Sequence, residues 1–194
     1  MSAACAQMAH YYDLTGGVPA GMSDSKLPDA QSGYEKGYTN ALAGVAGANM
    51  IYESAGMQAS LLGCCLESYV IDNDILGGCL RAVRGIEVTQ DSLSIEAIRN
   101  VCMEGPGHFL GHDQTLSLMQ AEYVYPDVGD RASPKEWAEQ GSSDIVERAR
   151  RVARDILANH YPRHIDRALD ERIREGFPVK LPAEVMRPGP HHPG

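Results

Sequence analysis

The sequence predicts an α/β fold with parallel strands, and two observations support this prediction. Residues 3–83 alternate helical patterns with short apolar runs in the order helix, strand, helix, strand, helix, which is typical of a βαβ unit. A cluster of polar residues follows each of the two predicted strands. Because ligands of such folds bind at the carboxyl ends of parallel strands, we expect both clusters to face one pocket.

The first three elements are bounded by start and stop signals. A helix over Ala3–Leu14 is ended by Thr15-Gly16-Gly17, and a short strand is expected over Val18–Gly21. A second helix begins near Pro28-Asp29, where proline suits the opening turn and aspartate favours the positive end of the helix dipole. This helix should extend to about Ala46.

The next elements follow from the same kinds of signal. Gly47 interrupts the helical pattern, and a second strand is expected over Ala48–Tyr52. A third helix, rich in Leu, Cys, Ile and Val, is expected over about Leu61–Val83. His108–Leu110 are a candidate third strand.

Further helices are expected toward the carboxyl terminus. Ser133-Pro134-Lys135-Glu136 is a capping box with proline at the first helical position, which predicts that a helix starts there. Apolar residues then recur at steps of three and four and predict an amphipathic packing helix, with Ile145, Ala149, Val152, Ile156 and Leu157 on its apolar face.

Charge and hydropathy exclude several classes of partner. The chain has 194 residues, with 17 Lys and Arg against 26 Asp and Glu and a formal net charge of −9, so we expect no nucleic-acid partner. No apolar run reaches the roughly 20 residues that a membrane span needs, so no membrane is expected either. The first residues lack the pattern of a signal peptide, which predicts a cytoplasmic location.

The cysteine pattern argues against a structural metal. The five cysteines show no C-x-x-C spacing, and Cys64 and Cys65 are adjacent, so their side chains would diverge on a helix. An odd number of cysteines fits a reducing compartment better than a disulfide framework. We therefore expect small buried side chains and no metal site.

Five blocks of sequence together carry a resemblance to a known family. They read AGMSDSKLPDAQSGYEKG, ALAGVAGANMIYESAGM, LRAVRGIEV, GPGHFLGHDQTL and YVYPDVGDRASPKEWAEQG. In this order they resemble the carboxyl-terminal part of the trimethylamine methyltransferase family, whose members are similar to (β/α)8 barrels. The resemblance extends to about Pro182 and implies an α/β fold, a partial (β/α)8 TIM-type barrel with carboxyl-terminal helices.

A change in charge balance divides the chain near residue 130, because residues 130–194 hold 12 Lys and Arg against 11 Asp and Glu, whereas residues 1–80 hold 2 against 8. Residues 1–129 would form the partial barrel with its catalytic-face loops, which is less than half of a complete barrel. Residues 130–182 would form a helical extension. The last stretch, 183–194, is rich in proline and glycine and is expected to be a disordered tail.

The chemistry implied by the resemblance is transfer of a methyl group from a methylated amine to a corrinoid (cobalamin). A cognate partner protein supplies that corrinoid, and no cofactor is expected to bind this chain tightly. Family members that act on trimethylamine carry pyrrolysine, which we expect close to the start of the SDSK block. Met22 and Ser23 stand there instead, so the chain resembles the branch that acts on betaine-type quaternary amines.

The loop after the first predicted strand is the first candidate substrate site. Met22, Ser23, Asp24 and Lys26 are its candidate ligands, because loops at this end of barrel strands often carry function. Asp24 and Lys26 could instead steady the loop and the start of the following helix.

The second predicted strand ends in a candidate cage for a cationic amine. Tyr52 would contribute its ring face and Glu53 its charge. A buried tyrosine with a hydrogen-bonded hydroxyl is the alternative for Tyr52. Gln58 could reach a substrate carboxylate, although a role in a surface loop is the favoured interpretation.

His108 and His112 have the i, i+4 spacing that metal ligands often show. The surrounding glycines and proline predict a turn rather than a regular helix, and no acidic third ligand accompanies them at helical spacing. No metal site is therefore expected, and His108 is a candidate for a packing role or for a corrinoid-facing role.

The sequence leaves two classes of function open. The first is a corrinoid-dependent methyltransferase, and the second is a truncated, non-catalytic family member that acts as an interaction or structural module. Two or three strands cannot close a barrel that needs eight, and open strand edges recruit partners. We therefore expect a homo-oligomer or a complex with a complementary barrel half.

Overall fold

The computed structural model of the chain describes residues 1–161, 164–182 and 185. In chain order its helices and strands are α1 Ser2–Tyr11, β1 Gly17–Pro19, α2 Ala30–Val45, β2 Met50–Tyr52, β3 Met57–Gln58, β4 Gly63–Cys64, α3 Leu66–Arg84, α4 Gln90–Leu93, α5 Ile95–Arg99, a π-helix Asn100–Glu104, α6 Asp113–Glu122, α7 Pro134–Glu139, α8 Ile145–Asn159 and α9 Arg167–Gly176.

The predicted parallel pairing is confirmed for the first two strands. β1 pairs with β2 in the register Gly17 to Met50, Val18 to Ile51 and Pro19 to Tyr52. Val18 is buried in a small core with Ala6 from α1 and Ala43 from α2, so two helices cover this sheet. The described residues therefore have a mixed α/β fold, and the partial barrel stays a prediction.

The second helix starts where its sequence signals place it. Asp29 is the N-cap of α2, and its carboxylate accepts a hydrogen bond from the Ser32 backbone N–H at 3.0 Å. This bond satisfies one of the free backbone donors at the helix start.

The third helix starts later than predicted because a hairpin occupies its expected first turn. β3 and β4 pair in antiparallel fashion, with Met57 opposite Cys64. Between them Ala59, Ser60 and Leu61 all have positive φ, between 51° and 72°. Consecutive left-handed residues are incompatible with an α-helix, so the helix predicted from Leu61 begins only at Leu66.

The candidate third strand is wrong. In the described part of the chain His108–Leu110 lie in a turn that leads into α6, and they pair with no strand. The glycines around them favour this turn, as the sequence indicated.

The capping box at Ser133 is confirmed, since its hydroxyl accepts from the Glu136 N–H and the Glu136 carboxylate accepts from the Ser133 N–H. The amphipathic helix α8 is also present, and Ala149 on its predicted apolar face is buried. Ile156 and Leu157 are 48% and 64% exposed, however, so the packing predicted for this end of the helix is wrong.

The chain forms two units, Met1–Ala149 and Arg150–Gly194. The predicted division between residues 129 and 130 stays a prediction. The tail predicted over 183–194 lies outside the described residues except for Val185. Within the described ranges, no helix combines the length and the apolar character required to cross a membrane.

Candidate active site

A cleft of about 380 Å³ opens beside the loop that follows β1. Its walls come from that loop, from α2 and from the turn between β3 and β4, with Met22, Asp24, Glu35, Tyr38, Thr39, Ser60 and Leu61 lining it. The structure thus places two of the predicted substrate residues, Met22 and Asp24, in one cavity. This cleft is the candidate active site.

Glu35 of α2 fixes the backbone of the β1 loop. Its Oε2 accepts a hydrogen bond from the Ser23 hydroxyl at 2.6 Å and another from the Asp24 N–H at 2.9 Å. Its Oε1 accepts from the Gln31 amide at 3.0 Å. Ser23 is buried, and its bond to Glu35 holds the loop against α2. Its role as a direct ligand stays a prediction.

The hydrogen bonds to Glu35 also keep its carboxylate charged. The Ser23 hydroxyl, followed by the Gln31 amide, lowers the pKa of Glu35 below its ordinary value, because both donors favour the ionised form. Asp24 is the second carboxylate of the lining. The cleft therefore presents two acidic side chains, one of which is held in a single orientation.

The turn between β3 and β4 closes over the same loop. The Ala59 N–H donates to the Ser25 carbonyl at 2.9 Å, and the Ser60 N–H donates to the Ser23 carbonyl at 3.1 Å. The Ser60 hydroxyl donates to Asp24 Oδ1. These bonds explain the left-handed backbone of the turn, because it must face its N–H groups toward the β1 loop.

Lys26 supports the loop and does not line the cleft. Its Nζ donates to the Asp24 carbonyl at 2.9 Å, and the side chain is exposed. For Lys26, this contact favours the alternative in which the side chain steadies the loop.

Gln58 does not have the surface role that the sequence favoured. It is 4% exposed, and its amide nitrogen donates to the Ser32 hydroxyl at 2.9 Å and to the Ser68 hydroxyl at 2.7 Å. It joins α2 to α3 through buried hydrogen bonds and lies outside the lining of the cleft. A glutamine in a two-residue strand of a tight hairpin gave no periodic signal of burial.

An ion pair is buried next to this network. Lys36 Nζ donates to Asp72 Oδ2 at 2.6 Å, and the two side chains are 0% and 3% exposed. The same carboxylate oxygen accepts from the Gly56 N–H at 2.6 Å. Burial raises the pKa of Asp72, while the hydrogen bonds from Lys36 and Gly56 oppose that rise.

Tyr52 and Glu53 lie at the end of β2 but outside the residues that line the cleft. Tyr52 is 41% exposed, so the alternative of a buried tyrosine is wrong. Glu53 is also exposed and has a positive φ of 63°. The cage predicted for these two residues stays a prediction.

His108 and His112 flank the turn before α6. His108 is exposed, and His112 caps the helix, with its Nδ1 accepting from the Gln114 N–H at 3.2 Å. Across the ranges that the structure describes, no three His, Cys, Asp or Glu side chains gather closely enough to hold a metal ion. The corrinoid-facing role of His108 stays a prediction.

Sequence reasoning missed the contribution of α2 to the cleft. Glu35, Tyr38 and Thr39 lie on neighbouring turns of one helix flank, and the Thr39 hydroxyl accepts from the Gly21 N–H at 3.0 Å. Their i, i+3 and i+4 spacing was a usable signal, because it places three polar side chains on one side of the helix that follows the loop.

A family model and the individual relatives found by sequence comparison all describe methyltransferases. The family model described as trimethylamine methyltransferase (MTTB) matches residues 1–180. The chain is 40% identical over 167 residues to the trimethylamine methyltransferase MttB of Methanosarcina thermophila, a match that covers 86% of this chain and 34% of that protein. It is 30% identical over 172 residues to the glycine betaine methyltransferase of Desulfitobacterium hafniense, covering 88% of this chain and 35% of the relative.

The chain thus spans about a third of the length of the curated relatives that it matches. The family match nevertheless covers nearly all of the sequence and includes every residue of the cleft. The chain belongs to the trimethylamine methyltransferase family.

Proposed function

We propose that this chain is the substrate-binding part of a methyltransferase that moves a methyl group from a quaternary amine to a corrinoid. The observation that carries the proposal is the acidic cleft at the carboxyl end of β1, which Met22, Asp24, Glu35 and Tyr38 line. A methylated ammonium group is cationic, and carboxylates and aromatic rings attract such a group.

The roles of the residues follow from their positions. Asp24 and Glu35 attract the ammonium charge, and the apolar side chains of Met22 and Leu61 contact its methyl groups. The corrinoid of a partner protein would supply the nucleophile that accepts the methyl group. The cleft has to orient one N-methyl group outward and keep water from the nitrogen, so no side chain needs to act as acid or base.

The architecture that we propose is a partial (β/α)8 barrel. Its support is the unit β1–α2–β2, whose strands are parallel and whose helix covers one face. Ligand sites of barrels lie at the carboxyl ends of the strands, and the cleft lies at that end of β1.

The substrate that we propose is quaternary because Met22 lines the cleft close to where members acting on trimethylamine are expected to carry pyrrolysine. A methionine thioether offers an apolar, adaptable contact and no reactive group for activating a tertiary amine. A quaternary nitrogen needs no such activation, since it leaves as a neutral amine.

Methyl transfer to cob(I)alamin tests the proposal. The protein should transfer a methyl group from at least one of tetramethylammonium, choline and glycine betaine, at a higher rate than from trimethylamine. Loss of the cob(I)alamin absorbance measures the transfer. Activity on trimethylamine alone would contradict the quaternary substrate, and a folded protein inactive on the whole panel would support the non-catalytic module.

We also propose that the chain associates with a second copy or with a complementary barrel half. Within the described residues β1 and β2 each have a single strand neighbour. The face of α2 that points away from the core carries Tyr34, Leu42 and Val45, which are 58%, 59% and 67% exposed. Such a stripe favours an interface, because an outer helix face in contact with water is normally polar.

Sedimentation at micromolar concentration tests this association. We expect a species larger than the 21.0 kDa chain, with an interface above about 1,000 Å². Replacing Leu42 by lysine should weaken the association about tenfold or more, because it places a charge in an apolar interface. A monomeric chain with a cooperative thermal transition would contradict the prediction.

A further inference from the structure

The two carboxylates of the cleft have no cationic side chain beside them in its lining. Among the residues that the structure describes, the lining consists of Met, Asp, Glu, Tyr, Thr, Ser and Leu residues and holds no lysine, arginine or histidine. Lys26, the cation nearest in sequence, is exposed and bonded to the Asp24 carbonyl. The cleft therefore presents two carboxylates to a ligand.

Glu35 is suited to attract a cation that cannot donate hydrogen bonds. Its carboxylate already accepts from Ser23, Asp24 and Gln31 at 2.6 to 3.0 Å, so most of its lone-pair positions are occupied by the protein. An amine with N–H groups gains little from such an acceptor. A quaternary ammonium has no N–H group and responds only to the charge, which these bonds leave in place.

Tyr38 adds an aromatic ring to the lining of the cleft. Its ring stacks on Tyr34, with centroids 6.3 Å apart and an interplanar angle of 12°. Tyr38 also lines the cleft, beside Glu35. Aromatic surface next to carboxylates is the combination that binds quaternary ammonium groups in proteins.

We infer that Glu35 is the specificity-determining carboxylate of this site, and that the cleft selects quaternary ammonium cations that lack a carboxylate over betaines. The inference rests on the proposed function, in that it takes this cleft as the substrate site. A betaine brings its own carboxylate into a cleft whose described lining has two acidic side chains and no cationic one, so repulsion opposes part of the attraction for its ammonium group.

Calorimetric titration of the full chain tests the inference without requiring turnover. Tetramethylammonium and choline should bind at least about tenfold more tightly than glycine betaine, which corresponds to about 1.4 kcal/mol. The E35Q variant should weaken tetramethylammonium binding about tenfold and leave glycine betaine nearly unchanged, so that the preference largely disappears. Raising the salt concentration should weaken tetramethylammonium binding to wild type more than to E35Q.

Glu87→Gln is the matched control, because it removes the same charge from an exposed position outside the cleft. This variant should still bind tetramethylammonium more tightly than glycine betaine.

Asp24→Asn provides a second test should E35Q fail to fold, since asparagine can still accept a hydrogen bond from Ser60. It should also reduce the preference for tetramethylammonium over glycine betaine. Equal affinity of wild type for glycine betaine and tetramethylammonium would overturn the inference, as would an unchanged preference in folded E35Q and D24N. Binding is measured apart from methyl transfer. A protein that transfers no methyl group but still binds tetramethylammonium more tightly than glycine betaine would therefore contradict the proposed activity and leave this inference standing.

Discussion

Replacing Lys36 by methionine should lower the free energy of unfolding by about 3–5 kcal/mol, because it leaves the Asp72 carboxylate buried without its cation. Of the two hydrogen bonds that Asp72 Oδ2 accepts now, only the one from the Gly56 N–H would remain. Urea unfolding followed by circular dichroism measures the loss. Ligand binding in the cleft should weaken as well, because Lys36 is next to Glu35 in α2.

The loss should depend on pH in a defined direction. Burial raises the pKa of Asp72, and removing Lys36 removes a contact that opposes the rise. A carboxyl group with a raised pKa in the folded state contributes stability at low pH, and this contribution is lost as the pH rises through that pKa. The deficit of the variant relative to wild type should therefore shrink as the pH falls toward the ordinary pKa of an aspartate.

Two further variants separate the ion pair from other effects. Replacing both partners, as Lys36→Met with Asp72→Leu, should recover much of the lost stability, because apolar side chains of similar volume can replace a buried pair. Lys135→Met removes a lysine that is 85% exposed and should cost less than about 0.5 kcal/mol. A loss below about 1 kcal/mol for Lys36→Met would show that the pair contributes little to stability.

Replacing Gly21 by alanine should cost about 3 kcal/mol or more and should abolish ligand binding in the cleft. Gly21 has a φ of +83°, a conformation that strains any other residue. An added Cβ would lie 2.5 Å from Asn40 Nδ2 and 2.5 Å from the carbonyl oxygen of Ser54. Since the Ser54 contact is with backbone, the β1 loop has to move, and with it Met22 and Asp24.

Gly37 of α2 offers the matched control for this substitution. An added Cβ there meets no atom within 4 Å, so Gly37→Ala should stabilise the chain by about 0.5–1 kcal/mol through helix propensity alone. Thermal unfolding compares the two variants, and titration with tetramethylammonium reports the cleft. A Gly21→Ala protein with wild-type stability and affinity would mean that the loop is not held where the structure places it.

Local signals predicted the early elements well because those elements are specified locally. The cap at Asp29 and the capping box at Ser133 act within a few residues of the backbone they shape, and each has its expected effect. The helix predicted to reach Leu14 ends instead at Tyr11, and Asp13 already has a positive φ of 54°, so the break at Thr15-Gly16-Gly17 is not what ends it. The start of α3 was predicted wrongly because it depends on contacts between segments that are distant in the sequence. The left-handed turn at Ala59–Leu61 is stabilised by bonds to Ser23 and Ser25, far away in sequence.

The sequence by itself determined the family and the βαβ order of the first elements, and it indicated the loop after β1 as part of the candidate site. Only the tertiary structure decided which side chains meet there. Glu35 and Tyr38 join Met22 and Asp24 because α2 packs back over the loop, whereas Tyr52, Glu53 and Gln58 lie outside the cleft. The physical reason is that sequence periodicity shows which side of a helix is apolar. Which segment packs against the polar side of that helix depends on contacts between parts of the chain that are distant in sequence.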